Sequence, residues 1–451
     1  MAESSWNLAR VFALLTMLYF FSSVLFTTCH LLAIPVQGCI LYLVEAFISP
    51  FAKQVIPDLL TSGPKTIPTE LNRFLYDLGS PSHESGAGVF WNASQSSTSI
   101  RMSEKLFLSK AFSNSMHPSR IVPFFYRANG RFDAEDITVT TQITSNRLHV
   151  FERLVRHYQG PISVTIHVKN NALHIHDFLD SLHSLYTSTP LMARNVDVHL
   201  AIDSFDRQFN TWRNIARFFA STDYVMMLDI DFFLCTDFRS AIRASGSVIK
   251  KLREGNSAFV IPAFEYVDHS EGVDYTNFPK DKKALLSLVK EGRISAFHAI
   301  WEAGHNSTDY ARFYSAPPGE VYRVSKYQAA YEPYVVYKKE GPPWCDERFI
   351  GYGGNKAACL FEMYLSGITY YVLSDHFIIH QNHLYEEKAR KNERIFNKKV
   401  YKDFKEETCL RYLKHYREVG YLSTPRGYNL QDECQKINAI SGFAAEIIGD
   451  L

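Results

Sequence analysis

Two aspartates, Asp229 and Asp231, are the residues of this chain best suited to chemistry. They follow an apolar run over residues 224–228, whose length and composition predict a buried strand of a parallel sheet. Ligands of open α/β sheets bind at the carboxyl ends of such strands. Two carboxylates held there suit Mg²⁺ or Mn²⁺, and such a cation can bridge a diphosphate. The pair therefore predicts a metal and nucleotide site.

Alone, an Asp-x-Asp pair is weak evidence. About one is expected by chance in a chain of this length, and aspartates after strands also cap turns. Phosphatases of the Asp-x-Asp-x-Thr/Val type carry such a pair as well. The phosphatase motif has Thr or Val at the position where this chain has Phe233. In those phosphatases the aspartate pair usually follows the first strand rather than the fourth. The surrounding elements and the downstream residues must therefore decide.

Alternating strands and helices position the aspartate pair. Periodicity predicts strands over residues 137–143, 162–168 and 196–202, and helices over 146–158, 172–186 and 209–220. Further strands are predicted over 258–267, 331–337 and 369–379, and helices over 238–254, 281–290 and 386–417. This alternation predicts an α/β fold with a mostly parallel mixed central sheet built from right-handed crossovers.

The amino terminus predicts a membrane anchor. No charged residue lies between Arg10 and Glu45, and the apolar stretch 11–34 is long enough to span a bilayer as one helix. We interpret it as a signal anchor rather than a cleaved signal or a buried core helix. The predicted organisation is a cytoplasmic tail 1–10, the anchor 11–34, a stem and lead-in 35–134, the α/β domain 135–420 and a C-terminal tail 421–451.

Composition and short motifs narrow the setting. The formal net charge of +1 gives no electrostatic case for binding nucleic acid. Two N-glycosylation sequons, at Asn92 and Asn306, favour a lumenal domain. An oxidising lumen permits a disulfide such as Cys409–Cys434. Five cysteines follow the stem and lead-in, an odd number, so pairing among themselves leaves at least one thiol free. Most of these cysteines are expected to be buried thiols.

Four segments would have to converge for chemistry: residues 210–214, 229–231 and 345–355, and His380. With the sequence around them they resemble glycosyltransferase family 49, which holds the LARGE-type bifunctional enzymes and a β-1,4-glucuronyltransferase. The matching segments are 147–163, 213–214, 229–232, 278–287, 331–336, 346–356 and 377–380. They occur in order over about 136–416, so the resemblance is more specific than any one motif.

The resemblance implies a GT-A-type nucleotide-sugar-binding fold with Mn²⁺, or Mg²⁺ in its place, and a UDP-sugar donor. It implies transfer with inversion to a glycan or glycoprotein acceptor. It also implies a single-pass type II protein of the Golgi membrane with a lumenal catalytic domain. The donor sugar stays open among the glucuronic acid, xylose and N-acetylhexosamine classes.

The resemblance also assigns roles to residues. Asp231 and His380 are expected metal ligands, and Asp229 is expected to contact the metal or the donor ribose. Arg213 and Asn214 are expected donor contacts. An inverting displacement needs a base near the acceptor hydroxyl. The resemblance makes Asp346 the candidate base, with Glu347 as its competitor.

Each assignment has a structural alternative. His380 could be a histidine at a strand end whose ring nitrogens make only structural hydrogen bonds. Asp346 could cap the following segment, and Arg213 could pair with Asp203 or Asp206. The chain departs from the family where Cys345 replaces a tyrosine, where Gly354 replaces a bulky residue, and where Gln-Asn-His follows His380. A catalytically inactive relative that binds glycans or acts as a scaffold is the alternative function.

Overall fold

The computed structural model describes residues 88–92, 99–103, 120–203, 207–383 and 387–449. The predicted cytoplasmic tail 1–10, the anchor 11–34 and most of the predicted stem lie outside these residues. Within them, no helix is both long and apolar enough to cross a bilayer.

The strands of the described residues fall into three sheets. In chain order they are β1 Gly88–Asn92, β2 Ser99–Ser103, β3 Arg120–Tyr126, β4 Ile137–Thr144, β5 Ile162–Lys169, β6 Val196–Asp203, β7 Tyr224–Met227, β8 Phe232–Leu234, β9 Ser257–Ile261, β10 Ala263–Tyr266, β11 Ile294–Ala296, β12 Val321–Arg323, β13 Tyr334–Lys338, β14 Thr369–Leu373 and β15 Ile378–His380. β1 and β2 pair only with each other, as an antiparallel ladder.

Helices alternate with the strands through the first half of the described region. In chain order they are α1 Leu148–Tyr158, α2 Ala172–Ser188, α3 Pro190–Asn195, α4 Phe209–Phe218, α5 Phe238–Ala244, α6 Gly246–Glu254, α7 Lys282–Lys290, α8 Glu302–His305, α9 Tyr310–Ser315, α10 Asn355–Leu365, α11 Glu387–Glu418, α12 Tyr428–Gln435 and α13 Ser441–Gly449. The predicted alternation of strand and helix is therefore confirmed.

The main sheet is mixed and has the strand order β12-β14-β9-β13-β7-β4-β5-β6-β3. The four adjacent strands β7, β4, β5 and β6 run parallel to one another. The strands β3, β12 and β13 run antiparallel to them. The side chains of the parallel strands are buried almost throughout, and α1, α2 and α4 pack against these strands. This arrangement confirms the predicted α/β fold with a mixed central sheet.

The strand order reverses at β4. From β4 the chain continues to β5 and β6 on one side, and β7 is then added on the other side of β4. The carboxyl ends of β4 and β7 therefore flank the topological switch point, where open α/β sheets bind ligands. Asp229 lies two residues beyond the end of β7.

A smaller four-stranded sheet, in the order β11-β10-β15-β8, lies beyond that point in the sequence. Two strands that the sequence predicted as continuous are each divided between the sheets. The stretch 258–267 divides at Pro262, which has no N–H for a ladder, and 369–379 divides at a turn. β8 follows Asp231 directly, and its Phe232 is paired in register with His380. The smaller sheet thus brings His380 to the aspartate pair.

Two disulfides brace the region downstream of the aspartates. Cys345–Cys359 joins the segment before Asp346 to α10, and Cys409–Cys434 joins α11 to α12. Cys235 is a buried thiol. The expected possibility of a Cys409–Cys434 bridge is confirmed, whereas the expectation that most cysteines are buried thiols was wrong, because Cys345 and Cys359 also pair.

Candidate active site

Asp229 is held by four side chains from four different elements. Its Oδ1 accepts hydrogen bonds from Gln142 Nε2 and Arg213 Nη2, both at 3.0 Å. Its Oδ2 accepts from the Tyr334 hydroxyl and from Lys356 Nζ, again at 3.0 Å each. Four bonds fill the lone-pair sites of an ionised carboxylate. A direct bond from Asp229 to a metal would therefore have to replace one of these partners.

The charge of Asp229 is set by its two cationic partners. Burial by itself raises the pKa of a carboxyl group, but Lys356 and Arg213 outweigh that effect and hold the pKa of Asp229 well below its usual range. The group is therefore ionised at any physiological pH. A fixed negative charge at the end of β7 is what a site for a divalent cation or a ribose hydroxyl requires.

Asp231 faces a different set of partners. Arg147 Nη1 lies 3.4 Å from its Oδ1, and His383 Nε2 lies 3.1 Å from its Oδ2. Burial raises the pKa of Asp231, but the hydrogen bond from His383 and the charges of His383 and Arg147 bring it below its ordinary value. The backbone carbonyl of Asp231 accepts from Gln381 N at 2.7 Å, which ties the aspartate to the segment that follows β15.

His380 ends β15 as a buried ring between aromatic neighbours. The centroids of Phe232 and Phe297 each lie 5.1 Å from its own, and Nδ1 lies 3.2 Å from Asn382 Oδ1. Burial lowers the pKa of His380 to about 4, so the imidazole is neutral at physiological pH, which is the form that ligates metals. The ring centroids of His380 and His383 are 5.5 Å apart.

The residues around Asp231 fit a divalent transition metal by their chemistry. A carboxylate and two imidazoles are a mixed oxygen and nitrogen donor set, which suits Mn²⁺. Across the part of the chain that the structure describes, no three His, Cys, Asp or Glu side chains are already arranged in the geometry of a metal site.

Helix α4 connects Asp229 to the loop that precedes α10. Arg213 is buried, and its Nη1 donates to Asn210 Oδ1 at 2.9 Å and to Asn355 Oδ1 at 2.7 Å, while Nη2 binds Asp229. Arg213 therefore pairs with Asp229 rather than with Asp203, whose Oδ2 accepts from Gln208. Asp206, the other partner considered, lies outside the described residues.

Asn214 fixes the acidic loop. Its Nδ2 donates to Cys345 O at 2.9 Å and to Glu347 Oε1 at 2.7 Å, and its Oδ1 accepts from Cys345 N at 3.0 Å. The side chain is buried and its hydrogen-bonding groups are engaged with the loop. In this structure Asn214 positions Glu347.

The two acidic residues of this loop have different partners. Arg348 binds both carboxylate oxygens of Asp346, at 2.6 Å for Nη2 to Oδ2 and 3.1 Å for Nε to Oδ1. Arg348 also pairs with Glu407 of α11 at 2.8 Å. A charged guanidinium thus covers Asp346, whereas Glu347 accepts from the neutral amide of Asn214.

Sequence reasoning did not single out Lys356, although it lies inside the segment that carried the resemblance. Its ammonium is buried, binds Asp229, and lies 3.7 Å from the centroid of the Tyr334 ring. Glu332 is a second acidic neighbour: burial raises its pKa, and Lys356 acts in the opposite direction. The sequence offered one indication of this role: Lys356 is a charged residue at the start of a mostly apolar helix.

Four other residues were also passed over as site residues. Gln142 and Tyr334 bind Asp229, and Arg147 and His383 bind Asp231. Gln142 is the last residue but one of a predicted strand, and the other three lie in or next to segments of the resemblance. Nothing in their spacing indicates which aspartate they contact.

Comparison with known proteins gives a family match. The family model described as "Glycosyl-transferase for dystroglycan" matches residues 136–208 and 204–413. Xylosyl- and glucuronyltransferase LARGE1 of Homo sapiens is 30% identical over 308 residues, which are 66% of this chain and 38% of that protein. LARGE2 of Mus musculus is 34% identical over 251 residues, which are 55% of this chain and 34% of that protein. The chain therefore spans less than half the length of these relatives.

Two of the solved structures that match this chain illustrate how low the similarity is. The structure of S. aureus TarS 1-349 has a TM-score of 0.37 and 10% identity, covering 69% of this chain and 73% of that one. The structure of GalNAc-T7 with UDP, GalNAc and Mn²⁺ has a TM-score of 0.37 and 11% identity, covering 70% of this chain and 55% of that one. These likenesses are too distant to bear on function.

Proposed function

This chain belongs to the family described as glycosyl-transferase for dystroglycan, and from that premise we propose that it is a metal-dependent inverting transferase. It moves a sugar of the glucuronic acid, xylose or N-acetylhexosamine class from a UDP-sugar to a glycan or glycoprotein. The observation that supports this most is the placement of Asp229, Asp231 and His380 at the switch point of the main sheet. We propose a GT-A-type fold on the same ground.

The residues divide the work between metal and donor. Asp231 and His380 would hold Mn²⁺ or Mg²⁺, with His383 beside them. When bound, the cation neutralises the charge that develops on the departing UDP diphosphate. Asp229, fixed by Arg213 and Lys356, presents a permanent negative charge to the metal or to the donor ribose. Direct contact with Asp229 replaces one of its four present partners, so the pairing of Asp229 changes when the metal or the donor enters.

The transfer step itself is a displacement at the anomeric carbon. The acceptor oxygen forms the new glycosidic bond, the bond to the UDP oxygen breaks, and a carboxylate takes the acceptor proton. We propose Asp346 as this base, with Glu347 as the competitor. Both lie on one loop that Asn214, Asn210 and the Cys345–Cys359 disulfide fix against α4 and α10.

Substitution of each acidic residue distinguishes the two candidates. We expect Asp346→Asn to lower kcat by about 10²–10⁴, the usual contribution of a positioned base. Glu347→Gln is expected to have a smaller effect, because a glutamine Oε1 can still accept from Asn214. The measurement is single-turnover transfer across about pH 5–9, the range in which catalytic bases titrate.

The variant Arg348→Gln, which breaks the ion pair between Arg348 and Asp346, is the matched control for Asp346→Asn. Arg348→Gln removes the same ion pair but keeps the carboxylate, so its activity should stay well above that of Asp346→Asn. A larger loss for Glu347→Gln than for Asp346→Asn would move the base to Glu347. Equal losses for Arg348→Gln and Asp346→Asn would show that the pair supports the loop and that Asp346 is not the base.

We also propose a lumenal position in the Golgi for the catalytic part, and a sequon gives its test. Asn306 is exposed, whereas Thr308 of the same sequon is buried, with its hydroxyl 2.7 Å from the Tyr331 hydroxyl. We therefore expect Asn306→Gln, which leaves the core intact, to remove an endoglycosidase-sensitive shift in gel mobility. Asn438→Gln, at an exposed asparagine outside any sequon, should leave the shift unchanged. A wild-type chain whose mobility the endoglycosidase does not change would contradict this position.

The direct test of the proposed activity is sugar transfer by the purified chain. UDP-glucuronate, UDP-xylose and UDP-N-acetylglucosamine are each supplied with glycan acceptors, in Mn²⁺ or in excess chelator. We expect transfer from one donor class, in the presence of metal alone. Equal transfer in chelator would contradict metal dependence.

A further inference from the structure

A short segment, residues 297–304, forms an unusual rim beside the aspartate pair. His298 has a φ of +52°, a backbone conformation that residues with a side chain rarely adopt. Residues in such conformations cluster at functional sites. The turn places Ile300 and Trp301 outward: Ile300 is fully exposed and Trp301 is 45% exposed. Phe297 and His305, at either end of the turn, are buried.

This rim is continuous with the proposed metal site. The Phe297 ring centroid lies 5.1 Å from that of His380 and 3.9 Å from that of His298, on which it stacks. On the other side, Gly304 O accepts from Glu332 N at 2.8 Å. Glu332 is the acidic neighbour of Lys356. The segment therefore runs between the metal-ligand side and the Lys356 side of the site.

The Trp301 indole is held in place rather than free. Two backbone hydrogen bonds fix the main chain at Trp301: its N–H donates to His298 O at 2.7 Å, and its carbonyl oxygen accepts from Gly304 N at 3.0 Å. A Cβ added at Gly304 would lie 2.6 Å from Cε3 and Cζ3 of the indole, so the six-membered ring packs directly on the glycine. Gly304 thus permits a close approach that fixes the ring and still leaves nearly half of the residue exposed.

We propose that Trp301, with Ile300 beside it, is the surface on which a pyranose ring of the acceptor glycan stacks. This inference rests on the proposed transferase function and names the part of the site that binds the acceptor. A fixed exposed indole beside the proposed metal site offers a flat apolar face, which the C–H face of a sugar covers with little loss of side-chain entropy.

The charge of the segment favours the acceptor over the donor. No Lys or Arg occurs between Arg293 and Arg312, so the segment supplies no fixed cation of its own to a diphosphate. The positive charges that act on His298 belong to Lys356 and Arg390 of other elements. The cations of the site lie instead around the two aspartates, with Arg213 and Lys356 at Asp229 and Arg147 at Asp231. A neutral ring on the rim and an anionic donor over the aspartates therefore use separate surfaces.

The test compares acceptor and donor kinetics of the full chain. Trp301→Ala and Trp301→Phe are assayed with the active UDP-sugar, with methyl β-D-xyloside and methyl β-D-glucuronide as acceptors. We expect Trp301→Ala to raise the KM for the acceptor about tenfold. The KM for the donor and the slow hydrolysis of donor without acceptor should stay unchanged, and Trp301→Phe should restore most of the loss. Phe443→Ala, at a residue 41% exposed on α13, is the matched control.

The outcomes separate this inference from the proposed function. If Trp301→Ala keeps the wild-type KM for the acceptor while transfer proceeds, the inference is overturned and the transferase function stands. If Trp301→Ala loses donor hydrolysis as strongly as transfer, Trp301 supports the donor site and the inference is again overturned. If the wild-type chain transfers no sugar from any donor, the proposed function fails and the inference fails with it.

Discussion

Asp231→Asn is expected to lower sugar transfer by at least about 10³-fold at saturating Mn²⁺. The substitution keeps the size and most of the hydrogen-bonding shape of the side chain but removes its charge. Arg147 and His383, which surround Asp231, can still donate to an amide oxygen. A cation held by this residue loses its anionic ligand, and the stabilisation of the departing diphosphate is lost with it. The measurement is UDP release with donor and acceptor present.

A second aspartate supplies the control. Asp237 caps α5 by accepting from Ser240 N at 3.0 Å and is exposed. Asparagine is an equally good N-cap, so Asp237→Asn should be fully active. Undiminished turnover of Asp231→Asn under the same metal conditions would contradict the role of Asp231 as a metal ligand.

Lys356→Met is expected to damage stability and activity together. Methionine is close to lysine in shape, but it leaves the ionised Asp229 with Arg213 as its only cationic partner. Removing one partner of a buried ion pair costs about 3 kcal/mol of unfolding free energy, and we expect a cost near that value. Transfer should fall by about 10²-fold, because Asp229 loses the group that fixes its Oδ2. Urea unfolding and transfer assays measure the two effects.

The pH dependence of that stability loss has a definite sign. The folded-state pKa of Asp229 is depressed, so the contribution of its ion pairs is fully present above the unfolded-state value of about 3.9. It is lost as the pH falls further toward the folded-state pKa. The stability difference between wild type and Lys356→Met should therefore be constant from about pH 7 to about pH 5 and narrow below about pH 4.

A surface lysine is the control for this variant. Lys402 lies 4.0 Å from Glu406 on α11 and is largely exposed, so Lys402→Met should change stability by less than about 0.5 kcal/mol. Wild-type stability of Lys356→Met would show that Asp229 does not depend on the lysine.

The strands that position the aspartates were predictable, because their apolar runs are long and bounded by clear helices. Residues 137–143, 162–168 and 196–202 differ from β4, β5 and β6 by about one residue at an end. The division of 258–267 was less visible, since both halves are apolar and only Pro262 marks the break. Residues 421–451 were predicted only as a C-terminal tail, yet α12 and α13 contribute Leu430 and Ala444 to the hydrophobic cluster that contains Val225 of β7.

The partners of the site residues were not predictable, because sequence proximity is a poor guide to them. The sequence offered Asp203 and Asp206 to Arg213, but the fold places Asp229 against it, 16 residues away. Lys356 reaches Asp229 across 127 residues. Cys345 was visible only as a departure from the family, since its pairing with Cys359 depends on where α10 packs.

The most direct test of the central claim is thermal unfolding of the purified chain, titrated with UDP-sugars in the presence and absence of Mn²⁺. A ligand at a hundred times its Kd stabilises by about 2.7 kcal/mol and should raise the midpoint by about 2–4 °C. We expect this rise for one class of UDP-sugar, and only when Mn²⁺ is present. No rise with any UDP-sugar in Mn²⁺ would contradict it and would favour a glycan-binding or scaffolding protein on the same fold.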